Sequence, residues 1–135
     1  MEGSLPSLSG MYVLVVDDNE TARYVLRRVL EHCGALVTTS VSARAALATL
    51  ARFRPDVVVT DLSMPDDDGY WLIGELRRLP PEEGGRIPAL AVTASGADAR
   101  ERALASGFQE LLPKPLDVRT FCKTVEKLAA SAAAP

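Results

Sequence analysis

The sequence predicts an α/β fold: a doubly wound parallel sheet of five strands with helices on both faces. Three observations carry that expectation. Apolar runs alternate with helically periodic segments five times over. The central run, Val57-Val58-Val59-Thr60-Asp61, is continuous rather than alternating, as strands buried on both faces are. Pro55 bounds that run before, and Pro65 and Gly69 bound it after.

Each element has its own local signals. Residues 1–10 are Ser-, Gly- and Pro-rich and read as a flexible lead to a domain over 11–130, with 131–135 a flexible tail. Met11 to Val16 is an apolar strand running into Asp17-Asp18. Asn19 can cap the helix that follows, Glu20 suits its first turn, and Gly34 stops it. Ala22, Val25, Leu26, Val29 and Leu30 form its inner stripe. Ala35 to Thr39 is a short strand. Ser42 begins a second helix with Ala46, Leu47 and Leu50 inside, ending at Arg54-Pro55. After the central strand, Tyr70 to Leu79 reads as a helix that buries Leu72, Ile73, Leu76 and Leu79. Pro80 to Gly85 is a loop, and Ile87 to Thr93 is the fourth strand. Ala97 to Ser106 is a helix with a thin apolar stripe, closed by Gly107. Phe108 to Leu112 is the fifth strand, running into Pro113-Lys114-Pro115. Asp117 opens a last helix carrying Phe121, Val125 and Leu128, and the alanine-rich end from Ala129 is expected to fray.

The chain's 135 residues suffice for one domain with a real core. A net charge of −3 gives no electrostatic case for nucleic-acid binding. No apolar stretch approaches the ~20 residues of a membrane span. The N-terminus lacks the basic start and apolar run of a signal peptide. Cys33 and Cys122 have neither metal-ligand spacing nor scaffold density, so they read as buried free thiols in a reducing cytoplasm.

The chemistry collects where strands end. Asp17-Asp18, Asp61, Thr93 and Lys114 each follow a predicted strand, and in an open parallel sheet those ends share one edge. Three crowded carboxylates repel one another unless protonated or neutralised. A hard divalent cation such as Mg²⁺ resolves this, because it takes one or two carboxylates, keeps waters and bridges to phosphate. Lysine supplies a point charge for a phosphate, and a threonine hydroxyl can donate to it. The set suits a phosphoryl group arriving on an aspartate, a recognised mode of covalent catalysis.

Four motifs at strand ends resemble the receiver domain of two-component response regulators. They are Val15-Val16-Asp17-Asp18-Asn19, Asp61-Leu62-Ser63-Met64-Pro65 through Asp68-Gly69, Val92-Thr93-Ala94, and Leu112-Pro113-Lys114-Pro115. The resemblance covers about Met11 to Leu128. It implies a flavodoxin-like fold with strand order 2-1-3-4-5. It implies that Asp61 accepts a phosphoryl group from a sensor histidine kinase or a histidine phosphotransfer protein. Mg²⁺ would be held by Asp18, Asp61 and the Ser63 backbone carbonyl, with Asp17 acting through a metal-bound water. Thr93, Ala94 and Lys114 match the phosphate-binding and switch positions, and Lys114-Pro115 matches a bond that is usually cis. The chain is expected to be bacterial and cytoplasmic, a monomer or weak dimer, with no external substrate and no membrane or nucleic-acid partner. The downstream partner is not implied, and the chain reads equally as a stand-alone regulator or as a piece of a hybrid kinase.

One departure stands out. Family members usually carry Tyr or Phe three residues before the lysine, and here that position is Leu111. The output is then expected through the helix after Thr93 or through helix one. Ser63 and Ser95 occupy positions whose side chains influence hydrolysis of the phospho-form.

Plainer readings compete residue by residue. The acidic pair can be a helix cap, and Lys114 a solvated turn. Tyr24, Tyr70 and Trp71 read as partly buried packing residues. Arg23, Arg27 and Arg28 read as a solvated helix face, and His32 as a surface residue. A degenerate receiver serving as an interaction scaffold is the alternative function. A Mg²⁺ phosphohydrolase with a DxDx[TV] pattern is disfavoured, because Ser63 stands where the second acid belongs. No G-x-G-x-x-G follows the first strand, which argues against a dinucleotide fold.

Overall fold

The computed structural model describes residues 4–94 and 98–133. Ten elements alternate along the chain: β1 (Tyr12–Val16), α1 (Glu20–His32), β2 (Leu36–Ser40), α2 (Ala43–Leu50), β3 (Val57–Asp61), α3 (Gly69–Arg78), β4 (Ala89–Thr93), α4 (Asp98–Ser106), β5 (Glu110–Pro113) and α5 (Val118–Ala133). The sheet is parallel throughout, in the order β2-β1-β3-β4-β5. The α/β class is as the sequence predicts, and the strand order is the one the family resemblance implies.

Alternation along each strand divides the core in two, since successive side chains leave a strand on opposite faces. Val13, Val15, Val57, Val59, Leu90 and Val92 meet Leu26 and Leu30 of α1 and Phe121, Val125 and Leu128 of α5. Leu14, Val16, Val58, Ala89 and Ala91 meet α2, α3 and Ala103 of α4. Each fully buried leucine or phenylalanine contributes ~1.5–3 kcal/mol relative to exposure. The central strands therefore have no polar face, which is why their sequences do not alternate.

The helix starts follow from capping. The Asn19 side chain accepts from the Ala22 N–H at 2.8 Å, Ser42 from Ala45 at 3.1 Å, and Asp68 from Trp71 at 3.0 Å. Each satisfies an N–H that has no partner within its own helix. Gly69 is required by close approach: a Cβ there would lie 2.6 Å from the Asp61 carbonyl oxygen and 2.9 Å from Leu62 Cα. The start of α3 is thus pressed against the end of β3.

Several local expectations are corrected. Leu8, inside the expected flexible lead, is fully buried, and its N–H donates to the Cys33 carbonyl at 2.7 Å. The alanine-rich end stays helical through Ala133, because Ala129 packs into the core beside α1. Phe108 is buried but precedes β5, which begins at Glu110. The Pro80–Gly85 loop contains a short 3-10 turn, Pro81–Glu83. Leu47 and Leu79 are only partly buried. On α1 the buried stripe narrows to Leu26 and Leu30, and Val25 is 50% exposed.

Candidate functional site

The register of the sheet assembles the site. Val16 pairs with Thr60, so Asp17 follows β1 just where Asp61 ends β3. Asp61 pairs with Val92, and Thr93 with Pro113, which sets Thr93 and Lys114 one step further along the same edge. Four strand ends deliver the predicted residues to one rim.

Carboxylate oxygens of Asp17, Asp18 and Asp61 all lie within 4.8 Å of one another. Asp17 is buried, Asp61 half-buried and Asp18 exposed. The Lys114 ammonium lies 3.3 Å from Asp17 Oδ2 and 3.4 Å from Asp61 Oδ2. Asp17 Oδ1 accepts the Asn19 N–H at 2.9 Å, and Asp61 Oδ1 accepts the Ser63 N–H at 3.2 Å. The acidic pair is therefore not the cap of α1; Asn19 fills that role. Nor is Lys114 a solvated turn residue.

The charges perturb one another with a clear asymmetry. Burial lifts the Asp61 carboxyl above its ordinary value; the Ser63 N–H and the Lys114 ammonium pull against that, and Asp17 adds to it. Burial works against the Lys114 charge, but Asp61 and Asp17 outweigh it and hold the ammonium above its usual value. The lysine pairs with two anions, whereas Asp61 has one cation beside it and two carboxylates, Asp17 and Asp18, in the same trio.

Thr93 is 1% exposed at the end of β4, and its carbonyl accepts the Lys114 N–H at 2.8 Å. Ala94 is exposed. Ser95 lies outside the described residues. Lys114-Pro115 is cis. Leu111 is buried among the side chains of α2, α3 and α4, and its carbonyl accepts from Arg100 at 3.4 Å. A cavity of about 590 Å³ opens beside the acceptor, lined by Ser63, Met64, Tyr70, Thr93 and Arg102 among others.

Three features were not legible as site residues. Arg23 is not simply solvated: its Nη1 donates to the Asp17 carbonyl at 2.8 Å, which brings a guanidinium to the acidic rim. The Arg102 guanidinium stacks over the Tyr70 ring, 3.8 Å from its centroid. Arg44 pairs with Asp67 at 2.5 Å and lies over Trp71, tying α2 to the loop after β3. Tyr70 and Trp71 are partly buried as expected, whereas Tyr24 is 56% exposed. His32 is on the surface.

The donor set fits a small hard cation. It is all oxygen and carries three acidic groups. The cluster already draws in the Lys114 ammonium, which pairs with two of its carboxylates. Soft-metal ligands are absent from it.

Comparison with known proteins agrees with this geometry. The family model of the response regulator receiver domain matches residues 13–126. An uncharacterized 14.6 kDa protein of Leptolyngbya boryana is 41% identical over 124 residues, covering 91% of this chain and 93% of that one. The DNA-binding transcriptional regulator NtrC of Salmonella typhimurium is 36% identical over 116 residues, covering 85% of this chain but 24% of its own length. Among solved structures, the receiver domain of a Pseudomonas aeruginosa sensor histidine kinase superposes with a TM-score of 0.81 at 28% identity. It covers 90% of this chain and 99% of that one, and has a magnesium ion coordinated in its active site cleft. The family match spans every strand end that builds the acidic rim, so the chain belongs to the response regulator receiver domain family.

Proposed function

We propose that the chain is a phosphorylation-switched receiver in a two-component or phosphorelay pathway. Asp61 takes the phosphoryl group of a phosphohistidine on a sensor histidine kinase or histidine phosphotransfer protein. A carboxylate oxygen of Asp61 forms the new O–P bond as the P–N bond breaks, and the electron pair of that bond stays on the imidazole. The observation that carries this reading is the single ammonium of Lys114 set between Asp17 and Asp61, at 3.3 and 3.4 Å.

Chemistry of this kind is mostly positioning and charge neutralisation, because the transferring group resembles metaphosphate. The Ser63 N–H fixes one oxygen of Asp61. Lys114 is placed to follow the incoming dianion, and Thr93 stands at the neighbouring strand end to donate to it. Asp18, Asp61 and the Ser63 carbonyl would hold Mg²⁺, with Asp17 acting through a bound water. That ion supplies neutralisation of charge on the phosphoryl oxygens. The chain turns over no external substrate; it accepts the group and loses it by autodephosphorylation.

Signalling is then a population shift that changes partner binding. Among the described residues no helix is long and apolar enough to cross a membrane, and a cytoplasmic site of action is consistent with that. Stand-alone regulator and hybrid-kinase receiver both remain compatible with the relatives, one of which matches this chain nearly end to end. The test is acetyl phosphate with Mg²⁺, read by intact mass. Wild type gains one phosphoryl group and Asp61→Asn gains none. A label that persists in Asp61→Asn defeats the assignment, and a wild type that never labels leaves the degenerate scaffold as the better reading.

A further inference from the structure

Helix α4 is held unusually. Only Ala103 among its described residues is buried, so apolar packing fixes it weakly. Three arginines tie it to its neighbours. Arg77 of α3 donates to the Gly107 carbonyl, just past the end of α4, at 3.0 Å. Arg100 pairs with Glu110 of β5 at 2.6 Å. Arg102 lays its guanidinium over Tyr70 of α3, 3.8 Å from the ring centroid.

The third contact differs from the other two in where it stands. Tyr70 and Arg102 both line the cavity of about 590 Å³ that Thr93 and Ser63 also line. Arg77 grips backbone and side-chain oxygens near the far end of the sheet, at Gly85, Ile87 and Gln109. Arg100 holds the carbonyl of Leu111, whose side chain already fills its place in the core. Neither reaches the cavity beside the acceptor. A change at Asp61 that draws on Thr93 or fills this cavity therefore meets α4 at Asp98, Ala99 and Arg102, and of these Arg102 ties α4 to α3 through its stack on Tyr70. An element with few buried apolar contacts is also one that is readily repositioned.

We propose that Arg102 stacked on Tyr70 is the coupling between the acceptor site and α4, so that phosphorylation of Asp61 is transmitted by changing this stack. The coupling rests on the acceptor reading above and assigns it a route. Tyr70 and Arg102 are positioning residues in this scheme: they set where α4 lies and carry no part of the phosphoryl transfer. The planar guanidinium is what the geometry requires, since a cation over a ring face gains from both charge and stacking.

The test uses the full chain, acetyl phosphate and Mg²⁺, with intact mass and amide hydrogen exchange read on the same samples. In wild type, labelling shifts exchange across 98–106 by about two- to fivefold, the population change that an ordinary cation–π contact supports. Tyr70→Phe keeps the ring and keeps that shift. Tyr70→Leu and Arg102→Gln label fully but lose it. Arg102 is exposed, so its variant leaves the core intact and keeps the test decisive if Tyr70→Leu folds poorly. A labelled Arg102→Gln whose α4 responds like wild type overturns the coupling, as does a Tyr70→Phe that behaves like Arg102→Gln. A labelled wild type with no change in 98–106 also overturns it, while leaving the acceptor assignment standing. Failure of wild type to label at all removes the acceptor assignment and the coupling with it.

Discussion

The Lys114 ammonium lies 3.4 Å from Asp61 Oδ2 although their strands are not neighbours. β4 stands between β3 and β5, so the lysine side chain reaches across the strand end that carries Thr93. One residue, set beyond the strand end of Thr93, thus reaches both the acceptor and its buried acidic neighbour Asp17.

That arrangement sets a pH dependence. The Asp61 carboxyl sits above its ordinary value, chiefly through burial, so the native state holds its proton more tightly than the unfolded chain does. Stability from this group falls as pH rises from the ordinary carboxylate value through the raised one. Lys114 is raised too, so its contribution is intact below the ordinary lysine value and lost as pH rises through the elevated one. Asp61→Asn is therefore expected to stabilise the metal-free protein at neutral pH. The gain should vanish in acid, where the carboxyl is protonated folded and unfolded alike. Urea melts at several pH values check this; a net loss at neutral pH would mean that the Lys114 pairing outweighs burial.

Magnesium should act as a stabilising ligand independently of any phosphoryl donor. At ten times its dissociation constant it adds ~1.4 kcal/mol by mass action. Chelation with EDTA reverses the shift. Asp18→Asn, which removes an exposed carboxylate from the trio without touching the core, should abolish most of it. Because the Asp61 carboxyl is raised, the stabilisation should also fade at a higher pH than a free carboxylate would set. Melting temperature with and without metal reads all three, and an undiminished shift in Asp18→Asn would remove that residue from the ligand set.

How much of this was legible follows from which forces leave a periodic trace. Strand ends were readable because continuous apolar runs break at Asp17, Asp61, Thr93 and Lys114, and parallel pairing then forces those ends together. The caps at Asn19 and Ser42 were readable from short-range chemistry. Val25 misled because helical spacing gives the direction of an apolar stripe but not its width. Leu8 was hidden because its partners, on α1 and the sheet, are remote in sequence. The arginines that hold α4 were invisible for a similar reason: cation–π contacts and carbonyl acceptors carry no spacing rule.

Arg77 should be among the costliest polar side chains to lose. Its guanidinium donates to the carbonyls of Gly107, Gly85 and Ile87 at 3.0, 3.0 and 2.8 Å, and to Gln109 Oε1 at 2.9 Å. Gln109 Oε1 in turn accepts the Ala89 N–H, which opens β4. Arg77→Met strands several acceptors together and is expected to cost about 2–3 kcal/mol. Arg77→Lys recovers little, because a point charge cannot serve diverging acceptors as a planar fork does. Both variants, once folded, should label at Asp61 as wild type does, since Arg77 is remote from the acidic rim. Denaturant midpoints beside intact-mass labelling separate the two effects.

The cysteines provide a last measurement. Cys33 closes α1 and Cys122 lies on α5, with sulfurs 3.6 Å apart, in contact but unbonded. Burial pushes the Cys122 thiol up to about 12, helped by its contact with Cys33. The thiolate is the nucleophile, so a group this reluctant to ionise should be inert to a disulfide reagent at mildly alkaline pH. Neither thiol should react in the native protein, and both should react once urea unfolds it. Rates should follow global unfolding, because both side chains sit in the core that joins α1 to α5. Rapid labelling of Cys122 under native conditions would show instead that α5 detaches locally from α1.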